Sequence, residues 1–544
     1  GGAMRLVATR GEGLPQARID IPRWRLTDSG FTADLAGTAA LDFGLARGLT
    51  VDTAGTLTQG GGVLTYRPSR CLDVTAAMLE LGENDAEDVS GDFCPGDAPL
   101  VTVRDGAWRA QGRMAGVAAD IPSFEAGVRE AEGAVAVDGG PGTLDLVADV
   151  ARAGLVDLAE PVRFRPLAAS GQARLSDERW TGGFDLARLG TALGRAEIQH
   201  DGRLEAGGVI ITLPQLTFAE GGLQPDDLTP LVAGYVDEPV NGQAAFSGRF
   251  DWTPAGVTSS GVVSTDGLDF VSPAGPVEGL AGRIELISLT PPITAPGQRL
   301  TVRSIGAFTP LTEVELDFEL DADSLNVGAF ELAVAGGVVR VEPTEYPLNG
   351  QGEWSGVLVL DRVQLGEVVA ASDFADKVAM DAVVSGRLPF TYSREAGVRI
   401  RGGSIAAVEP GRLSINREAL SEVAAGGGGE VSENTVQDLA YQAMENLAFD
   451  TLSADVNSLP EGRLGVLFSI KGRHDPPQRQ DLRLSVFELI SREFLNRELP
   501  LPSGTEIDLT LDTTINANQL ASDFLALQRA RRGEDESVAE PVEP

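Results

Sequence analysis

The sequence predicts an all-β protein: a mostly antiparallel sheet with one apolar side and only a few short helices. Three observations predict it. Residues 311–321 read Leu-Thr-Glu-Val-Glu-Leu-Asp-Phe-Glu-Leu-Asp, so Val314, Leu316, Phe318 and Leu320 alternate with Glu313, Glu315, Asp317, Glu319 and Asp321. Successive side chains of a strand point to opposite faces, which makes one face hydrocarbon and the other carboxylate. The same period returns where Ile507, Leu509 and Leu511 alternate with Asp508, Thr510 and Asp512, and more loosely at 144–150 and 464–470. Finally, 66 glycines and 31 prolines interrupt a chain of 6% aromatic content, the composition of many short strands joined by turns.

Taken in order, Gly1 to Met4 read as a cloning scar with no signal peptide after them. Residues 5–425 read as one elongated β body. Its first strands fall at 31–35, 38–45, 49–53 and 63–66, a short helix is expected at 74–81, and strands resume at 100–103, 106–112, 133–137 and 143–150. The dipeptide Thr229-Pro230 puts proline where the first turn of a helix accepts it, so a short helix is expected within 223–236. Residues 363–378 are a second helix candidate. Gly426 to Gly429 form a joint, followed to residue 450 by an amphipathic helix in which Ser432 caps and Val436, Leu439, Ala440, Ala443 and Leu447 recur at three and four residues. Strands return over 451–515. Residues 516–544 read as a short helix at 518–531 and an acidic tail without apolar anchors.

The formal net charge of −37 argues against nucleic acid, whose phosphates are bound by clustered Lys and Arg, and against adsorption of the whole surface to anionic lipid. No apolar run is long enough to span a bilayer as a helix. Cys71 and Cys94 are the only cysteines. They are either a disulfide or two unrelated buried thiols, and the turn signal Cys94-Pro95-Gly96 favours the bridge.

A catalytic constellation is not legible. His200 and His474, the only histidines, each stand beside Asp in a Gly or Pro turn and read as solvated turn residues. The run Asp321-Ala-Asp323-Ser-Leu325-Asn326 begins like a calcium loop but has Leu325 and Asn326 where a ligand and a glycine belong. No phosphate loop, zinc helix, metal site or cofactor site is expected. The carboxylates read as a solvated face.

An apolar sheet face has to be covered, and three or four short helices cannot cover about thirty strands. Either the sheet packs on itself or it holds an apolar ligand; periodicity leaves both open. Three passages resemble the YdbH family of AsmA-like, bridge-type lipid transport proteins of Gram-negative envelopes. They are Leu-Gln-Pro-Asp-Asp-Leu-Thr-Pro-Leu at 223–231; Gly-Pro-Val-Glu-Gly-Leu-Ala-Gly-Arg-Ile at 275–284, running on to 296–302; and a set made of 402–405, 410–413, 444–452 and 462–475. The similarity covers roughly residues 60 to 520. It implies a long sheet folded into a U-shaped groove that carries phospholipid acyl chains between the inner and outer membranes, in the periplasm and without catalysis.

On that reading bound phospholipid is cargo, not cofactor, and the functional residues are a lining: Val314, Leu316, Phe318, Leu320, Val357, Val359, Val466, Phe468, Ile470, Ile507, Leu509 and Leu511. About thirty strands spaced about 4.8 Å apart would extend about 140 Å. The resemblance also implies a small outer-membrane lipoprotein at the C-terminal sheet edge, and an N-terminal inner-membrane anchor that has no counterpart in this sequence. The competing expectation is a structural β-solenoid or adhesin-like stalk whose apolar face is closed by its own second layer.

Overall fold

Alternating apolar and polar residues give strands along nearly all of the described residues. The structure is a computed structural model describing residues 1–9, 16–43, 46–80, 85–233, 236–272, 275–307, 309–348, 353–372, 375–393, 397–416, 441–460, 463–479 and 501–516. The protein is all-β and antiparallel, with 33 strands among the described residues. No helix among them is long and apolar enough to cross a membrane. The chain divides into two units, one of Gly1–Thr265 with Glu285–Pro291, the other of Asp266–Ile284 with Pro292–Pro544.

In the first unit neighbouring strands pair antiparallel, with Ala46–Gly60 bonded to both Val63–Pro68 and Leu72–Leu79 and with Val101–Arg104 bonded to Val63–Pro68 and Ala107–Ile121, and the register lines up side chains of one kind across the sheet. One such line runs Trp24, Ala33, Leu57, Tyr66, Val101, Ala110, Val137, Leu146, Leu175, Trp180, His200, Gly207 and Trp252. One residue along, on the opposite face, the line reads Arg25, Thr32, Thr58, Thr65, Thr102, Arg109, Asp138 and Asp145. A one-residue slip would exchange these faces, so the pattern itself holds the register.

Several expected boundaries move. The strand Gly30–Phe43 runs straight through Gly37, which had read as a break between two short strands. A Cβ at Gly37 would stand 2.0 Å from the Arg18 carbonyl oxygen, so this glycine permits a close backbone approach and does not mark a turn. The helix expected at 74–81 is the strand Leu72–Leu79. Its burial alternates with period two, and it finds partners on both sides, in Ala46–Gly60 and Ala86–Cys94. Met4 belongs to the strand Gly2–Ala8 and pairs with Ile21. The Cys71 and Cys94 sulfurs are bonded, closing the hairpin between their strands.

Among the described residues helix is confined to short pieces. Residues 223–236 contain one turn, Pro225–Leu228, and the 3₁₀ turn Pro230–Val232. Only Leu365–Ala370 is helical in the second candidate. Of the third, residues 441–445 are helical, Leu447 opens the strand Leu447–Ser458, and the rest lies outside the described residues. The helix at 518–531 lies outside them too.

The connections on one rim of the first unit are tied together. Asp157, whose side chain has no accessible area, accepts hydrogen bonds from Arg163 Nε at 3.1 Å and from Ala159 N at 3.4 Å. The Arg163 guanidinium also donates to the Phe124 carbonyl at 2.8 Å. Burial alone would raise the Asp157 pKa, but these hydrogen bonds outweigh it and hold the carboxyl below its ordinary value. Arg165 pairs with Asp226 at 3.1 Å, joining the next connection.

Candidate functional site

Strand register in the second unit sorts its side chains into two faces. One apolar line runs Gly282, Leu300, Leu316, Phe330, Val341, Leu358 and Leu388. A second runs Leu332, Val339, Leu360, Gly386, Ile405, Ala454, Phe468 and Leu511. The opposite face, read across the same strands, is Thr301, Glu315, Glu331, Arg340, Val359, Arg387, Ser404, Asp455, Leu467 and Asp512.

Opposite charges meet across strands on that polar face. Arg299 pairs with Asp317 at 2.5 Å, Arg340 with Asp361 at 3.0 Å, Arg387 with Glu342 at 2.6 Å and Lys471 with Asp508 at 3.1 Å. The hydrogen bond from Arg299 holds the Asp317 carboxyl below its ordinary pKa, and Arg179 does the same for Asp201 in the first unit. These pairs are solvated, so they fix which face is wet more than they stabilise the fold.

Ten of the twelve expected lining residues lie on the apolar face, and they differ in access. Val314, Val466 and Ile470 are buried by the chain itself. Leu316, Phe318, Leu320, Phe468, Ile507, Leu509 and Leu511 are half-buried. Val357 and Val359 stand on the polar face, because Val359 is opposite Arg340 and Arg387 while its neighbour Leu358 is opposite Val341 and Leu388. In Gly-Val-Leu-Val-Leu both phases of the alternation are apolar, so the segment carries no sign of which phase points inward; only the partners' register decides. The same lack of contrast hid Leu358 and Leu360, and the register adds Leu300, Phe330 and Leu388 to the face as well.

Part of this face is sealed. Val363, Val384, Leu413, Leu447, Phe449, Leu452 and Ile470 form a buried core, and Leu365 and Val368 of the short helix pack against it, as do Ile507 and Leu509. A smaller core of Ala454, Val456 and Val466 adjoins Leu388, Ile400, Ile405 and Phe468. Leu300, Leu316, Phe330 and Leu358 belong to neither and remain half-buried.

The histidines are not solvated turn residues. His200 is 6% exposed, and its Nδ1 accepts a hydrogen bond of 3.0 Å from Trp252 Nε1. His474, 2% exposed, ends the strand Arg463–His474 beside Leu447. His200 lies within the strand Thr191–Asp201 and His474 is the last residue of its strand, so both imidazoles stand on the apolar side and not in the turns that follow. Among the described residues no group of three His, Cys, Asp or Glu side chains is placed to hold a metal. The calcium-like run is instead internally bonded, Asn326 Nδ2 donating to Asp321 Oδ2 at 3.0 Å.

The chain was compared with known proteins. A family model described as YdbH-like, intermembrane phospholipid transport protein YdbH, matches residues 4–489. No curated protein and no solved structure matches.

Proposed function

The chain belongs to the YdbH-like family of intermembrane phospholipid transport proteins, and from that premise we propose that it conducts phospholipid in the periplasm along the apolar face of its sheet, with acyl chains on that face and headgroups in water. The observation that carries this reading is the half-buried line Leu300, Leu316, Phe330, Leu358 and Leu388, backed on the other side of the same strands by paired charges. A hydrocarbon tail supplies the missing layer at about 0.8 kcal/mol per methylene buried. No step of bond making is needed, and none is proposed.

The stalk reading draws support from the sealed core around Phe449, which is what a self-closed sheet would have throughout. Native mass spectrometry of gently purified protein, with uptake of labelled phospholipid, separates the two. Bound phospholipid supports the conduit; lipid-free protein that takes up none refutes it.

The strand Glu506–Asn516 pairs on one side with Arg463–His474, and among the described residues its other edge has no partner. Such an edge accepts a further strand by backbone hydrogen bonding, and we place the small outer-membrane lipoprotein there. Deletion of residues 500–531 should abolish its binding, and retained binding would refute the assignment. Attachment to the inner membrane rests on the family resemblance alone.

A further inference from the structure

Val357 and Val359 stand on a face built mostly of charged and hydroxyl side chains, and the conduit gives them no role. They floor two adjoining depressions on the polar side of the strands Trp354–Gln364 and Val383–Ser393. One, of about 400 Å³, is lined by Val357, Ser355, Pro389, Glu342, Arg399 and Arg401. The other, of about 490 Å³, is lined by Val359, Arg340, Asp361, Arg387, Ser404 and Asp455 among others, so its charges balance and the cationic end lies in the first.

The arginines here fall into two kinds. Arg340 is neutralised by Asp361 at 3.0 Å and Glu331 at 3.8 Å, and Arg387 by Glu342 at 2.6 Å. Arg399 and Arg401, both exposed, have no acidic partner among the described residues. Register puts Arg399 on this face, since it pairs with Thr391, which pairs with Ser355, while Ile400 and Phe390 pair on the other. Two uncompensated cations beside an aliphatic floor, on a chain of net charge −37, are complementary to a ligand that is anionic at one end and apolar at the other.

We infer that this outer depression docks a short extended segment of a partner protein, with carboxylates at Arg399 and Arg401 and aliphatic side chains over Val357, Pro389 and Val359. The depressions succeed one another along the strand from Ser355 to Asp361, a span of about 20 Å at about 3.3 Å per residue, the reach of about six extended residues. Both are open to solvent, which suits a peptide held at several points. An anionic bilayer is disfavoured because the rest of the surface repels it.

The test uses the full chain and a fluorescein-labelled peptide carrying two glutamates followed by a leucine–valine tail. Anisotropy should show saturable binding that weakens at least about tenfold in the Arg399→Ala/Arg401→Ala double variant and in Val359→Asp, and weakens with added salt. A lysine-for-glutamate peptide should not bind. Arg399 and Arg401 are exposed and Val359 floors an open depression away from the apolar face, so unchanged bound phospholipid is expected in these variants and an unchanged melting temperature in the arginine variant. The inference is overturned by absence of saturable binding, by equal binding to either variant, by phosphatidylglycerol vesicles binding through these arginines where the peptide does not, or by loss of bound phospholipid from the arginine variant.

Discussion

Aspartate placed at Leu358 or at Val359 puts the same charge one residue apart on opposite faces of one strand. Leu358 sits between Val341 and Leu388, whereas Val359 sits between Arg340 and Arg387. At Leu358 the change removes a side chain whose full burial is worth about 1.5 to 3 kcal/mol. The position is half-buried, so in the lipid-free protein the new carboxylate reaches water and the loss of folding stability stays near the lower end, about 1.5 kcal/mol. The lipid-bound state loses more, since hydrocarbon then lies against the carboxylate; a further penalty of about 1.4 kcal/mol lowers lipid retention about tenfold. Val359 is half-buried as well, but there the carboxylate gains two guanidinium neighbours that offset part of the lost burial, so stability should fall by less than at Leu358. Co-purified phospholipid measured by mass spectrometry, with denaturant unfolding of each variant, reads both quantities. Lipid lost from Val359→Asp but kept by Leu358→Asp would refute the assignment of faces.

Other consequences are equally specific. Asp157→Asn should cost about 1.5 to 3 kcal/mol by weakening charged hydrogen bonds. Because folding lowers the Asp157 pKa, its contribution is complete above the ordinary carboxylate value near 3.9 and fades as pH falls through the folded value; acid unfolding below about pH 4 should therefore be shallower in the variant. Gly411→Val should destabilise by about 1 to 3 kcal/mol, since a Cβ there would stand 2.0 Å from the Asp381 carbonyl oxygen and 2.5 Å from Phe449; unchanged urea unfolding would contradict the packing. Cys71→Ser with Cys94→Ser should lower stability by about 3 kcal/mol, the worth of closing a loop of this length, and an unshifted urea midpoint would show that the bond is dispensable.

What the sequence disclosed followed contrast. Residues 311–321 and 506–512 alternate hydrocarbon with carboxylate, and both form strands with the anticipated sides. Where contrast fails, so does the reading. Thr-Ala-Ala-Met-Leu within 75–79 suits helix or strand alike, and only two neighbouring strands made it a strand. Val357 and Val359 failed for the same reason. The histidines failed differently: an Asp-Gly or Asp-Pro signal locates a turn to within a residue or two, while burial reverses with each residue along a strand.

The second unit contains its own control for the conduit. Where the chain supplies a second layer, Leu365 and Val368 lying over the sheet, exposure falls to 0% at Val384 and 1% at Phe449 and Leu447. Leu316, Phe330 and Leu358 belong to no such core and stay half-buried. Residue type does not explain the contrast, since both stretches are leucine, valine and phenylalanine; on the proposed reading a covering layer does. If about ten methylenes of an acyl chain provide that layer, they contribute roughly 8 kcal/mol, comparable with the whole stability of a domain. Delipidation should then lower the melting temperature, and added phospholipid should restore it in a concentration-dependent way. Unfolding that is indifferent to lipid, in protein verified to have been stripped, would mean that the half-buried face is stable without a guest and that hydrocarbon is not its missing layer.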